Sequence, residues 1–150
     1  MKRLDVKLDF EKFPARFTCD GENISPRIVI GKTVAKAIAI ILEDQDAPSG
    51  TFTHWIAWNI EPMLVLVENI PKEAKVESPT RAIQGRNTAN RIGYMGPCPP
   101  RGKPHRYFLK VHALDLQLDL PPGASRNELE RAMEGHVIEY GETMATYQRQ

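Results

Sequence analysis

The sequence predicts a mostly β protein, an antiparallel β-sandwich with one or two short helices, folded as a single domain over residues 1–150. Three observations lead there. Short apolar or alternating runs of strand length recur along the chain. Twelve prolines and ten glycines separate them with turns. Only one segment carries helical spacing together with helix-end residues.

The elements follow in order. Leu4-Asp5-Val6-Lys7-Leu8-Asp9-Phe10 alternates apolar and polar, as a strand with one wet face does. Ile28-Val29-Ile30 is a short strand, and residues 37–42 are apolar on both faces and therefore central. Residues 52–60 form another strand, turned at 59–62, and Met63-Leu64-Val65-Leu66-Val67 is a strand or extended segment. Residues 74–104 have little periodicity and many Gly, Pro, Asn and Arg, and so long a loop in a compact domain is usually functional. A well-defined strand follows at 107–114. Ser125-Arg126-Asn127-Glu128 is a capping box opening a short helix with an apolar stripe of Leu129, Ala132 and Met133, stopped at Gly135. Alternation resumes at 136–140.

Composition sets bounds. Apolar content of 41% and charged content of 26% are ordinary for a globular domain. A net charge of +1 gives no bulk attraction for nucleic acid. No run approaches the ~20 apolar residues of a membrane span. Met1-Lys2-Arg3-Leu4-Asp5-Val6-Lys7 is basic with no apolar stretch behind it, so it does not read as a secretory signal, and a cytoplasmic protein is expected. Cys19 and Cys98 are then free thiols by default; a bridge between them is the alternative, since hyperthermophile interiors do keep disulfides.

The most telling segment is Gly96-Pro97-Cys98-Pro99-Pro100, followed by His105-Arg106-Tyr107. Proline fixes φ and lacks an N–H, so this is a stiff loop leading into a strand. His105 and Tyr107, two apart, share a face. Asp44 and Asp46 sit at the carboxyl end of the central strand, before Pro48, and His54 opens the next strand in Thr53-His54-Trp55. Three strand ends bearing polar groups beside turns point to one shared cleft.

These segments resemble the phosphatidylethanolamine-binding protein family, in its short bacterial and archaeal, Raf-kinase-inhibitor-like branch. The likeness runs through Phe17-Thr18-Cys19-Asp20-Gly21-Glu22-Asn23-Ile24-Ser25-Pro26, Asp44-x-Asp46-Ala47-Pro48, Thr53-His54-Trp55, Gly93-Tyr94-Met95-Gly96-Pro97-Cys98-Pro99-Pro100 and His105-Arg106-Tyr107. Five pieces in order over about 90 residues are far more specific than any one of them. The resemblance implies the family's sandwich and an anion pocket of Asp44, His54, His105 and Tyr107, with Gly96 and Pro97 in its rim. It implies a small anionic ligand or a phospholipid headgroup such as phosphoethanolamine, a protease or kinase as protein partner, and a homodimer. There are departures. Gln45 stands where many members have proline, residues 81–91 are unusually basic, and 141–147 follow the closing segment loosely. Larger eukaryotic members cover the pocket with a C-terminal helix, for which this chain is too short, so lid function and kinase partners do not carry over directly.

The chemistry of such a set is consistent. Two imidazoles can donate N–H bonds, a bound phosphate favours their cationic form, and Tyr107 adds an O–H. Loop amides near Gly96 could add more. Asp44 either orients an imidazole or binds a ligand's ammonium group. A plain Asx turn before Pro48 is the alternative for both Asp44 and Asp46, and for Asp46 it stands level with a role in the pocket. His112 and His136 read as structural, at least one of Trp55 and Trp58 as core, and Arg81, Arg86 and Arg91 as solvated loop charge.

Three functions compete. A non-catalytic anion-binding protein accounts for the whole set, with no cofactor and no metal expected. A serine protease inhibitor acting through a surface loop is the second. The third is a hydrolase or metal enzyme using His54, His105 and Asp44, or a thiol catalyst at Cys98. Against the third stand the lack of a Gly-x-Ser-x-Gly elbow and of tight His or Cys ligand spacing.

Overall fold

The computed structural model describes residues 1–150. Its strands are β1 (Lys2–Arg3), β2 (Val6–Lys7), β3 (Ile28–Ile30), β4 (Ala37–Asp44), β5 (Phe52–Ile60), β6 (Val65–Leu66), β7 (Lys75–Val76), β8 (Ala82–Gln84), β9 (His105–Leu114) and β10 (Val137–Tyr147), with one helix, α1 (Arg126–Met133). A seven-stranded sheet in the order β1-β10-β9-β4-β5-β8-β7 faces a three-stranded sheet, β2-β3-β6. Every pairing is antiparallel except β1 with β10. No helix is long and apolar enough to cross a membrane.

β4 shows why the large sheet is covered on both sides. All eight of its residues are buried, and β5 and β9 flank it. Ile38, Ile40 and Leu42 enter the main core beneath the small sheet, beside Ile28, Ile30 and Leu66. Ala37, Ala39 and Ile41 enter a second core, beside Leu129 and Met133 of α1. The helix starts at Ser125, whose side chain accepts from Glu128 N–H while Glu128 reaches back to Ser125 N–H. Arg126 reaches the buried Glu43 carboxylate of β4 at 2.7 Å, with Lys110 at 3.3 Å, tying α1 to the sheet.

Several boundaries differ from expectation. In 4–10 the burial alternates as predicted, yet only Val6–Lys7 pair, because β3 opposite offers three residues. The 63–67 run shortens to β6. The 74–104 loop contains the edge strands β7 and β8, too short for periodicity to reveal. The closing alternation extends into an eleven-residue β10.

The free-thiol default is overturned. Cys19 and Cys98 are bridged, with Cα atoms 5.4 Å apart across 79 residues of sequence. Their proximity is created by two loops meeting in space, which spacing along the chain does not reveal.

Candidate functional site

β9 delivers His105 and Tyr107 to one face, both buried. Asp44 ends β4 directly opposite Tyr107. His54 arrives by another device. Trp55 pairs with Leu42 and Thr53 with Glu43, so His54 has no partner and forms a β-bulge. Thr53 Oγ1 accepts from Arg126 on the α1 side, whereas Trp55 lies in the main core with Tyr107. The bulge turns His54 to that same side, where its ring meets Tyr107 edge-on at 5.4 Å between centroids.

Asp44, His54, His105 and Tyr107 therefore form one cluster. His105 Nδ1 donates to Asp44 Oδ2 at 2.7 Å, and Asp44 Oδ1 accepts Asp46 N–H at 2.8 Å. His54 Nδ1 donates to Met95 O at 2.7 Å, while Met95 N–H returns a bond to His54 O. Both acceptors are oxygens without hydrogen, so each Nδ1 carries the proton and each neutral ring leaves Nε2 bare. Neither Nε2 finds a hydrogen-bond partner in the protein. Burial lowers the His54 pKa, with the Met95 carbonyl and the Asp44 charge pulling the other way. The Tyr107 hydroxyl is fully buried and has no partner. Burial first, the Asp44 charge second and the side-chain approach of that carboxylate third push its pKa up.

Gly96 and Pro97 are buried at the edge of this cluster. Of the loop amides near Gly96, that of Gly96 itself is already engaged, donating to Asn23 Oδ1 at 2.8 Å. A Cβ on Gly96 would lie 2.1 Å from Phe17 O, so only glycine permits the approach. The two loops are stitched further by Cys19 N–H to Pro97 O at 3.1 Å and Tyr94 Oη to Phe17 O at 2.6 Å.

Asp46 is a strut. Its carboxylate takes Arg106 N–H at 2.8 Å and the guanidinium at 2.9 and 2.8 Å, which holds its pKa down at about 2. Of the two aspartates for which an Asx turn is expected, Asp44 makes it. Both tryptophans are core, on opposite faces. Arg81, Arg86 and Arg91 are exposed, Arg81 beside Glu77 and Arg86 on Asn90 O. His136 pairs with Asp115 at 3.0 Å, and His112 packs on Tyr140 with its pKa held down at about 4 by burial. A cleft of about 430 Å³ is lined by Lys2, Lys32, Met63, Leu64 and Glu139 among others and contains none of the cluster. Sequence reasoning missed Asn23 and Met95, whose contributions are a turn-borne amide and a backbone carbonyl that no motif advertises.

The sequence model described as phosphatidylethanolamine-binding protein matches residues 5–148. A UPF0098 protein of Pyrococcus horikoshii is 56% identical over 142 residues, covering 93% of this chain and 72% of that one. One from Methanothermobacter thermautotrophicus is 46% identical over 146 residues, covering 94% and 93%. Among solved structures, a phosphatidylethanolamine-binding protein homologue from Chlamydia trachomatis superposes with TM-score 0.87 at 33% identity over 100% of both chains. YbcL of Escherichia coli, described as a member of the mammalian family, gives 0.86 at 26% identity over 99% of each.

Proposed function

The chain belongs to the phosphatidylethanolamine-binding protein family, and on that premise we propose that it is a non-catalytic binding protein whose buried His54, His105, Tyr107 cluster takes a small phosphoryl anion. The observation that carries this reading is the Tyr107 hydroxyl, fully buried and unpartnered beside two imidazoles with unengaged Nε2 atoms. Leaving a buried hydroxyl unpaired costs about 1–3 kcal/mol, which a ligand oxygen would recover. A phosphoryl group offers several acceptors, matching one O–H and, once the rings are protonated, two N–H donors.

Asp44 then acts as a positioning residue. Its two oxygens are engaged by His105 and by Asp46 N–H, so of its two expected roles orientation is favoured over capture of an ammonium group. The recognised chemistry is the phosphoryl group, whether on free phosphate or on a lipid headgroup.

The test is thermal melting with inorganic phosphate, phosphoethanolamine or potassium chloride. A binding anion raises Tm by linkage, and His105→Ala should abolish that rise while leaving a cooperative transition. Equal shifts for the two phosphoryl compounds assign the site to phosphate; a larger one for phosphoethanolamine assigns it to the headgroup. A melting curve unchanged in millimolar amounts of either overturns the reading.

A further inference from the structure

The Cys19–Cys98 bridge lies at the surface, with both residues exposed. Arg149 Nη1 sits 3.8 Å from Cys98 Sγ. The same guanidinium is held in place by Asp20, with Nη2 at 3.0 Å and Nε at 3.2 Å, and Asp20 also accepts from Tyr147 Oη at 2.5 Å. A cation beside one sulfur of an accessible disulfide favours thiolate on that sulfur and makes it the better leaving group. An inert structural bridge needs neither the exposure nor the cation.

We propose that Cys19–Cys98 is a thiol-exchange site, opened by a dithiol reductant, with Arg149 as the residue that activates it. The reductant's thiolate attacks Cys19 Sγ, the S–S bond breaks, and the electron pair leaves on Cys98 Sγ beside Arg149. The reductant's second thiolate then attacks its own sulfur in the mixed disulfide and releases Cys19. The dithiol ends as a disulfide, and the protein gains two electrons and two protons. The bridge joins the loop of Cys19 and Asn23 to that of Met95, Gly96 and Pro97, which are otherwise tied by hydrogen bonds from Cys19 N–H, Gly96 N–H and Tyr94 Oη and by Lys72 Nζ, which donates to both Asn23 O and Tyr94 O. Met95 O anchors His54, so reduction loosens the segment that orients one imidazole of the cluster. Only this last consequence rests on the anion-binding reading.

The native protein is incubated with dithiothreitol well below its melting temperature, quenched with iodoacetamide and weighed. Two alkylations are expected on folded protein, with the rate in Arg149→Met lowered roughly three- to tenfold and that in Arg149→Lys near the original. Hydrogen exchange at Cys19 and Gly96 amides should accelerate about tenfold or more on reduction, while β4 and β9 amides keep their protection. A bridge that reacts only after unfolding, or a rate indifferent to Arg149→Met, overturns the exchange site. Unchanged amide exchange overturns the coupling. Neither readout contains phosphate, so a missing phosphate shift removes the pocket reading alone.

Discussion

His54 and Trp55 are neighbours in sequence on one strand, yet both face the main core. The cause is the bulge between the Leu42–Trp55 and Glu43–Thr53 pairs. Regular alternation back from Ile56 and Trp58, which face α1, would place His54 on that side as well. There it would meet Arg126, Lys110 and Glu43 instead of Tyr107. One extra residue moves an imidazole from an ion-pair network to a site with unpaired acceptors.

Tyr107→Phe separates stability from binding. The hydroxyl is buried without a partner, so its removal should stabilise the free protein by about 1 kcal/mol. The same change should weaken the phosphate-induced rise in Tm, since it deletes a donor. Urea midpoints with and without phosphate measure both. A destabilised Tyr107→Phe protein would mean that the hydroxyl has a partner, contrary to the geometry.

Phosphate binding should be linked to protonation. Burial holds His54 below its ordinary value of about 6.5, and His112 lies at about 4, so the folded state binds fewer protons than the unfolded. The free protein consequently loses stability as pH falls from about 6.5 toward 4. Phosphate oxygens and a bare Nε2 are both acceptors, so no hydrogen bond joins them unless the phosphate carries a proton or the ring gains one. The Tm shift, taken at each pH against ligand-free protein, should therefore be larger at pH 6 than at pH 8. Sulfate, which has no titrating proton there, distinguishes the sources: a parallel rise assigns the proton to imidazolium, a flat response to the phosphate. A phosphate shift equal at both pH values contradicts the bare-Nε2 assignment.

Much of this was readable before any coordinates. Residues 37–42 of β4 are apolar on both faces because two cores need them, and Ser125 with Glu128 spells out the helix start. Asp44, His54, His105 and Tyr107 came from family motifs, and the structure does bring them together. What stayed hidden depends on pairing across the chain. The bulge at His54 exists only relative to β4, and Met95 acts through its carbonyl. The disulfide joins loops whose approach follows from a missing side chain at Gly96.

Asp46→Asn should flatten the acid end of the stability curve. Arg106 hydrogen bonds hold the Asp46 pKa down to about 2, below an unfolded value near ~3.9. A depressed carboxylate contributes stability that is present above the unfolded pKa and lost as pH falls through the folded one. The original protein should thus weaken between about pH 4 and pH 2 more steeply than Asp46→Asn, which should already be less stable at pH 7. Urea midpoints across that window provide the comparison, and parallel curves would show that Arg106 does not stabilise the charged form.

Gly96→Ala and Gly102→Ala lie in the same proline-rich loop but should differ. Gly102 has φ +124° with nothing within 4 Å of an added Cβ, so alanine there costs backbone strain alone, about 1–3 kcal/mol. At Gly96 a Cβ would stand 2.1 Å from Phe17 O and 2.7 Å from Asn23 Oδ1, the acceptor of its own amide. Phe17 O also accepts Tyr94 Oη, so the carbonyl cannot retreat without breaking a buried bond. Gly96→Ala should cost more than Gly102→Ala by urea denaturation, and should also reduce the phosphate shift by displacing Met95 from His54. If Gly96→Ala proved no worse than Gly102→Ala, the close packing of these two loops would not be what positions His54.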